Sequence, residues 1–317
     1  MKALFWLTGM LVVYAYSFYP VIIFVLQKIT KKTFYRSEEL IPVSIIISAF
    51  NEEDIIEEKI KNLLALDYPK EKLEVIIASD GSTDRTNEIV RKYAGDGIVL
   101  VDYKARRGKV NVLNSLVSQA KNEIIVFSDA NTFFEKDALR KLVRSFGDDR
   151  VGCVCGEMRF RKARGNTLGE MEGFYWRYEV FLKKAEGARG ALLGANGGIY
   201  AIRKKLFEKI PADTIIDDFV IPMKIAENGH RIVYESEAVA YEETAKNIVK
   251  EMARRVRIGA GDFQSLMLMC RLLNPARGFI AYAFWSHKVI RWFAPFLLIG
   301  TLFSNAFLAG ERLYLIL

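Results

Sequence analysis

From Val43 onward, short apolar runs alternate with longer amphipathic stretches. Residues 43–47, 73–78, 98–101, 124–127 and 151–155 have the length and β-branched content of buried strands. The segments between them have helical spacing. Residues 53–66 bring Ile55, Ile56, Ile60, Leu63 and Leu64 to one side, and Asp84 is placed to cap a helix that runs to about Tyr93. Helices are also predicted over 109–119 and 138–146. This alternation predicts an α/β fold, a mostly parallel twisted sheet with helices on both faces, which binds ligands at the carboxyl ends of its strands. After Gly156 the rhythm breaks. An aromatic-rich helix is expected over 167–186, a flexible turn at 194–198, a helix over 217–227 and a strand over 231–235.

The two ends read differently. Residues 3–26 carry no charge and are long enough to cross a hydrocarbon core of about 30 Å. Trp6, Tyr14, Tyr16 and Tyr19 are of the type found near lipid headgroups. A signal peptide fits less well, because the run is too long and no small-residue cleavage site follows it. Residues 292–310 form a second uncharged run, interrupted by Pro295 and Asn305, and 313–317 begin another apolar stretch. The expected domains are a transmembrane helix at 1–28, a catalytic domain at 40–247, interfacial helices at 248–288 and a membrane segment at 289–317 that the chain's end cuts short.

Charge orients this arrangement. The net charge is +8. Lys28, Lys31, Lys32 and Arg36 follow the first run, and Arg271, Arg277, Lys288 and Arg291 precede the second. Basic flanks on the inner side of both runs predict a multi-pass membrane protein with its middle in the cytoplasm. Contact of these flanks with membrane lipids accounts for the basic balance, and no nucleic-acid motif is present, so nucleic acid is not an expected partner. Cys153 and Cys155 share one face of a strand with no partner pair for a metal, and are expected as buried reduced thiols.

Four predicted strands end in polar residues: Ser48, Phe50, Asn51 and Glu52 after the first, residues 79–84 with Asp80 after the second, Arg106 to Lys109 after the third, and Asp129, Ala130 and Asn131 after the fourth. Any one of these is an ordinary loop, whereas four on one sheet edge make a site. Their chemistry suits a nucleotide diphosphate. Asp80 can accept from a pyrimidine imide, and Lys109 at a helix start can meet phosphate. Asp129 and Asn131 offer hard oxygens to Mg²⁺ or Mn²⁺. Neither His230 nor His287 lies on this edge, so a base must be a carboxylate. Asp217 and Asp218 open a predicted helix. Helix capping is the plain alternative, with Asp217 expected to be partly structural and Asp218 chemical.

Together these residues resemble a family-2 glycosyltransferase of the GT-A fold, in the branch with cellulose, hyaluronan and poly-N-acetylglucosamine synthases. Residues 80–84 resemble the family's DDGSTD, Gly108-Lys109 with Asn114 its GKxxALN, residues 129–131 its DxD, Asp217-Asp218 its TED, and residues 254–258 its QxxRW. The resemblance implies an inverting transferase that takes a sugar from a nucleotide-diphosphate donor, expected to be UDP-linked, onto a lipid-linked or polysaccharide acceptor, with membrane subunits as potential partners. It implies Asp218 as base, Arg257 on the pyrophosphate, and Gly194, Asn196, Asp217 and Arg254 near the donor sugar and acceptor. The chain departs from the pattern at Ser79, Asn131, Asp217, Arg254 and Ile258. Ile258 has no π surface for a sugar where processive members carry Trp, which favours one or a few additions over long polymers. A catalytically inactive donor-binding subunit is the other class, and a nucleotidyltransferase a further enzyme.

Overall fold

The computed structural model describes residues 1–29, 34–161, 168–243, 248–311 and Tyr314. The expected apolar stretch at 313–317 otherwise lies outside them, as do Lys31 and Lys32. The chain divides into two compact units, one of Met1–Lys31 with Asp262–Leu317 and one of Lys32–Gly261.

The chain opens with α1 (Lys2–Val13) and α2 (Tyr19–Ile29), continuous through a π-helical turn at Tyr14–Phe18. The larger unit then follows. Its strands are β1 (Val43–Ala49), β2 (Leu73–Asp80), β3 (Ile98–Tyr103), β4 (Ile124–Phe127), β5 (Thr132–Phe134), β6 (Val151–Arg161), β7 (Tyr200–Arg203) and β8 (Arg231–Glu243). Its helices are α3 (Ile56–Leu64), α4 (Thr86–Arg91), α5 (Lys109–Gln119), α6 (Ala138–Val143), α7 (Leu168–Gly187), α8 (Asp217–Glu227) and α9 (Ile248–Leu268), the last running on past Gly261. The chain closes with α10 (Phe279–Ala283), α11 (Ile290–Trp292) and α12 (Ala294–Leu308).

The eight strands form one sheet in the order β3-β2-β1-β4-β7-β6-β8-β5. The half from β3 to β4 is parallel, as expected of strands buried on both faces. Ile45, Ile47, Val75, Ile77 and Val126 of these strands lie in one core with Ile56, Ile60 and Leu63 of α3 and Leu139 and Leu142 of α6. The other half is mixed. β7 runs antiparallel to both β4 and β6, and β5 antiparallel to β8. β5 and β7 are additions to the predicted strands, and β6 and β8 each run well beyond their predicted ends.

In the smaller unit, α1 packs on α12, with Thr8 Oγ1 and Thr301 Oγ1 2.8 Å apart beside Gly9 and Gly300. Small residues of this kind let apolar helices approach closely. Leu7, Met10 and Phe18 on the first helix and Leu298, Leu302 and Phe307 on the last are exposed. Among the described residues, Lys2–Ile29 is long and apolar enough to cross a membrane. The second uncharged run, 292–310, falls mainly in α12. Phe279–Trp292 and Ala294–Leu308 meet the same measure only together, across a 60° bend. The break falls at Phe293, with Pro295 in the first turn of α12.

Candidate active site

The parallel strands end together, and the loops that leave them are tied to one another. Asn51 adopts a left-handed conformation, φ 55°. From there its Oδ1 accepts from the Thr83 amide at 2.9 Å and its own amide donates to Ser82 Oγ at 3.1 Å. The Glu52 amide donates to Thr86 Oγ1, and Asp84 accepts from the amides of Glu53 and Thr86. Arg85, not the predicted Asp84, is the N-cap of α4, but Asp84 accepts from the helix's first amide and also holds the loop after β1. Ser48 is half-buried at the end of that strand.

Asp80 is buried at the end of β2. Its carboxylate accepts from the Arg107 amide at 2.6 Å and the Gly108 amide at 2.9 Å. The loop that precedes α5 is thus pinned across the β2 terminus. Gly81, at φ 75°, makes this possible, since a Cβ there would stand 2.7 Å from the Arg106 nitrogen. The Arg106 guanidinium lies 4.0 Å over the Phe50 ring and forms the rim.

Pinning that loop delivers Lys109 to the first turn of α5. Its Nζ donates to Asp129 Oδ1 at 3.0 Å and lies 3.5 Å from Asp217 Oδ2. Burial by itself would lower the Lys109 ammonium, but Asp217, Asp129 and Asp218 outweigh it and hold the group well above its ordinary range. Burial likewise pushes Asp129 up, and Lys109, Lys59 and Arg257 more than reverse this, so Asp129 stays ionised. Asp218 shows the opposite balance. Burial and the neighbouring Asp217 raise its carboxyl to about 6 against the pull of Lys109 and Lys183.

Asp217 and Asp218 occupy the first turn of α8, where the helix dipole favours negative charge. The 194–198 turn, expected to be flexible, is held in place. The Ala195 amide donates to the Asp218 carbonyl at 2.8 Å. A Cβ on Gly194 would meet the Phe219 ring at 2.8 Å, and one on Gly197 would meet Asp218 Oδ2 at 3.0 Å. Asn196, expected near the sugar, is turned inward. Its Oδ1 accepts from the buried Lys183, its Nδ2 donates to the Gly156 carbonyl at 2.7 Å, and its amide donates to Cys155 Sγ at 3.1 Å. Asn196 thus fixes the turn instead of lining the cleft. Cys153 and Cys155 are free and buried, as expected, whereas the third thiol, Cys270, is exposed.

Asn131 donates from Nδ2 to Glu242 Oε1 at 3.0 Å, leaving its Oδ1 for other partners. Ala130 is buried between Asp129 and Asn131. Arg254 and Arg257 are exposed on α9, their charges felt at Glu242 and Asp129 respectively. Burial and then Asp129 raise both Glu52 and Glu242. Sequence reasoning missed Glu242, which becomes a neighbour only because β8 runs on through 236–243, eight residues further than its pattern predicts, and pairs Glu242 with Thr132. It also missed Lys59. That side chain is fully buried on α3 and donates to Ser128 Oγ at 2.8 Å and to the Thr132 carbonyl. Burial lowers it to about 7, while Asp129 raises it. Its place was visible: Ile56, Lys59, Ile60 and Leu63 share one apolar stripe, where a lysine is out of pattern.

Among the described residues no three acidic, histidine or cysteine side chains cluster as a protein-only metal site. Asp129 with the Asn131 oxygen fits a hard divalent ion that takes one or two protein ligands and fills its shell from phosphate and water.

The arrangement has close counterparts. Residues 44–211 match the family model described as Glycosyl transferase family 2. A poly-beta-1,6-N-acetyl-D-glucosamine synthase of Staphylococcus aureus (strain MSSA476) is 29% identical over 245 residues, which make up 75% of this chain and 59% of that protein. The mannosyltransferase PcManGT from Pyrobaculum calidifontis, solved with GDP-Man and Mn2+, superposes with a TM-score of 0.75 at 26% identity, over 98% of this chain and 93% of that one. S. aureus TarS 1-349, solved with UDP-GlcNAc, shares the fold with a TM-score of 0.51 at 20% identity, over 65% of this chain and 60% of that one. With more than half of the chain on the family's pattern and its acids gathered around one lysine at the strand ends, the chain belongs to glycosyl transferase family 2.

Proposed function

We propose that the protein is an inverting glycosyltransferase that moves a sugar from a nucleotide-diphosphate donor to a hydroxyl of a lipid-linked or polysaccharide acceptor at the cytoplasmic face of a membrane. The observation that carries this is the convergence of Asp129, Asp217 and Asp218 on Lys109. Asp218, with a carboxyl near 6, is ionised at neutral pH yet basic enough to take a proton. In the reaction the acceptor oxygen bonds to the anomeric carbon on the face opposite the diphosphate and gives its proton to Asp218. The bond from that carbon to the phosphate oxygen breaks, and the electron pair leaves with the nucleoside diphosphate. Lys109 and Arg257 offset the charge that develops there. Asp129 and Asn131 would hold Mg²⁺ or Mn²⁺, which supplies further neutralisation of the diphosphate when bound. Ser48, Phe50, Asn51, Glu52 and Asp80 border the nucleoside.

A UDP-linked donor is the first choice, in keeping with Asp80 as an acceptor for a pyrimidine imide, and N-acetylglucosamine is a candidate sugar from the name of the synthases at 29% identity. GDP-mannose is the second, favoured by the likeness to PcManGT over nearly the whole chain. Detergent-purified protein, given UDP-glucose, UDP-N-acetylglucosamine or GDP-mannose with and without Mn²⁺, is expected to release nucleoside diphosphate from one of them in the presence of metal. Binding of nucleotide with no turnover of any donor would instead support the inactive subunit.

A further inference from the structure

We propose that Lys59 is a positioning residue for the donor site, bracing from behind the turn that presents Asp129. A lysine with no exposed surface is costly to bury unless something compensates, so its partners define its role. Nζ donates to Ser128 Oγ and to the Thr132 carbonyl, the two ends of the 128–132 turn, and lies 4.5 Å over the Phe134 ring. Ser128 Oγ, having accepted from Lys59, donates its own proton to the Gly198 carbonyl at 3.0 Å. One amine thus fastens the turn bearing Asp129 and Asn131, and through Ser128 the turn that lies against Asp218. One helical turn further along α3, Asn62 exchanges two 2.8 Å hydrogen bonds with the Phe134 backbone. That pair grips β5 as well, but not Ser128, and so separates bracing of the site from general support of the strand.

The inference rests on Asp129 facing a metal-bound diphosphate. Its test is direct binding of Mn²⁺ with UDP, and in a parallel arm Mn²⁺ with GDP, to the full chain in detergent, read by the loss of the free Mn²⁺ resonance and by calorimetry. Groups that orient a metal ligand from behind commonly change affinity 10- to 100-fold. Lys59→Met, similar in volume, is expected to weaken Mn²⁺–nucleotide binding about tenfold. It should also raise the donor KM more than it lowers kcat. Ser128→Ala is expected to weaken binding several-fold, and it decides the question if Lys59→Met does not fold. Asn62→Ala is expected to lower the melting temperature with affinity within about twofold of wild type. Wild-type affinity in Lys59→Met, or in Ser128→Ala where that variant decides, overturns the proposal, as does an Asn62→Ala loss equal to that of Lys59→Met. Asp129→Asn tests the underlying reading: if it binds like wild type, or if the wild type binds neither nucleotide, the donor site itself is misplaced and Lys59 falls with it.

Discussion

Asp218 stands among charges of both signs, and its protonation answers to all of them. Burial and Asp217 push the proton on, while Lys109 and Lys183 push it off. A base works only when ionised, so with a carboxyl near 6 the rate should fall as pH drops through about 6 and level off above it. The expected record is kcat/KM against pH with an acidic limb near 6. An unchanged rate down to pH 4.5 would remove Asp218 from that role. Asp218→Asn, nearly isosteric, should lose about 10²- to 10⁴-fold in turnover while donor binding changes little. Asp80 and Asp129 were legible from the sequence because each follows an apolar strand, and Asp217 and Asp218 because two adjacent acids open a helix. Lys59 was overlooked because a single lysine on an apolar stripe contradicts the pattern that identifies the helix. The inward turn of Asn196, which the resemblance grouped with the sugar-side residues, was not legible because nothing local to a glycine-rich turn records that Lys183, thirteen residues earlier, reaches its side chain.

Between β2 and α5, a loop becomes part of the site through one glycine and one buried acid. Gly81→Ala places a Cβ within 3 Å of the 105–106 backbone, at a φ of 75° that alanine rarely adopts. The expected cost is about 1–3 kcal/mol, read as a lowered melting temperature. Because the obstacle is backbone, the 105–108 loop has to move, and Lys109 moves with it. The donor KM should therefore rise by more than the loss of stability accounts for. A variant that melts early but binds donor normally would mean that the loop and Lys109 are independent. The same scale explains which elements could be read in advance. The parallel strands were legible because each carries its own apolar run between helices. β5 and β7 were not, because strands of three and four residues have too little pattern, and their pairing with β8, β4 and β6 is set by distant chain. The 60° bend before α12 was not foreseen, since a break at Phe293 and Pro295 leaves local apolarity untouched while turning the axis.

At the scale of the molecule, the chain pairs a family-2 catalytic unit with a unit of apolar helices, and the proposed function sets the chemistry at the cytoplasmic face of a membrane. Basic residues flank both apolar ends, and it is on the positive-inside tendency that the proposed function puts those flanks in the cytoplasm. The protein's own thiols offer a test that needs no substitution. Cys270 is exposed and immediately precedes Arg271, the first of the basic residues Arg271, Arg277, Lys288 and Arg291. Cys153 and Cys155 are buried in the sheet, where burial lifts Cys153 well above the ordinary thiol range and Cys155 to about 11. A thiol reacts as thiolate and needs access, so these two are silent to a maleimide while the fold is intact. A membrane-impermeant maleimide therefore reports Cys270 alone. It should label the protein in inside-out vesicles and in detergent, and leave it unlabelled in sealed right-side-out vesicles. Labelling only from the outer face would reverse the proposed orientation of these flanks. The same experiment checks the sheet, because a second and third label appearing without denaturant would mean that β6 is open to solvent.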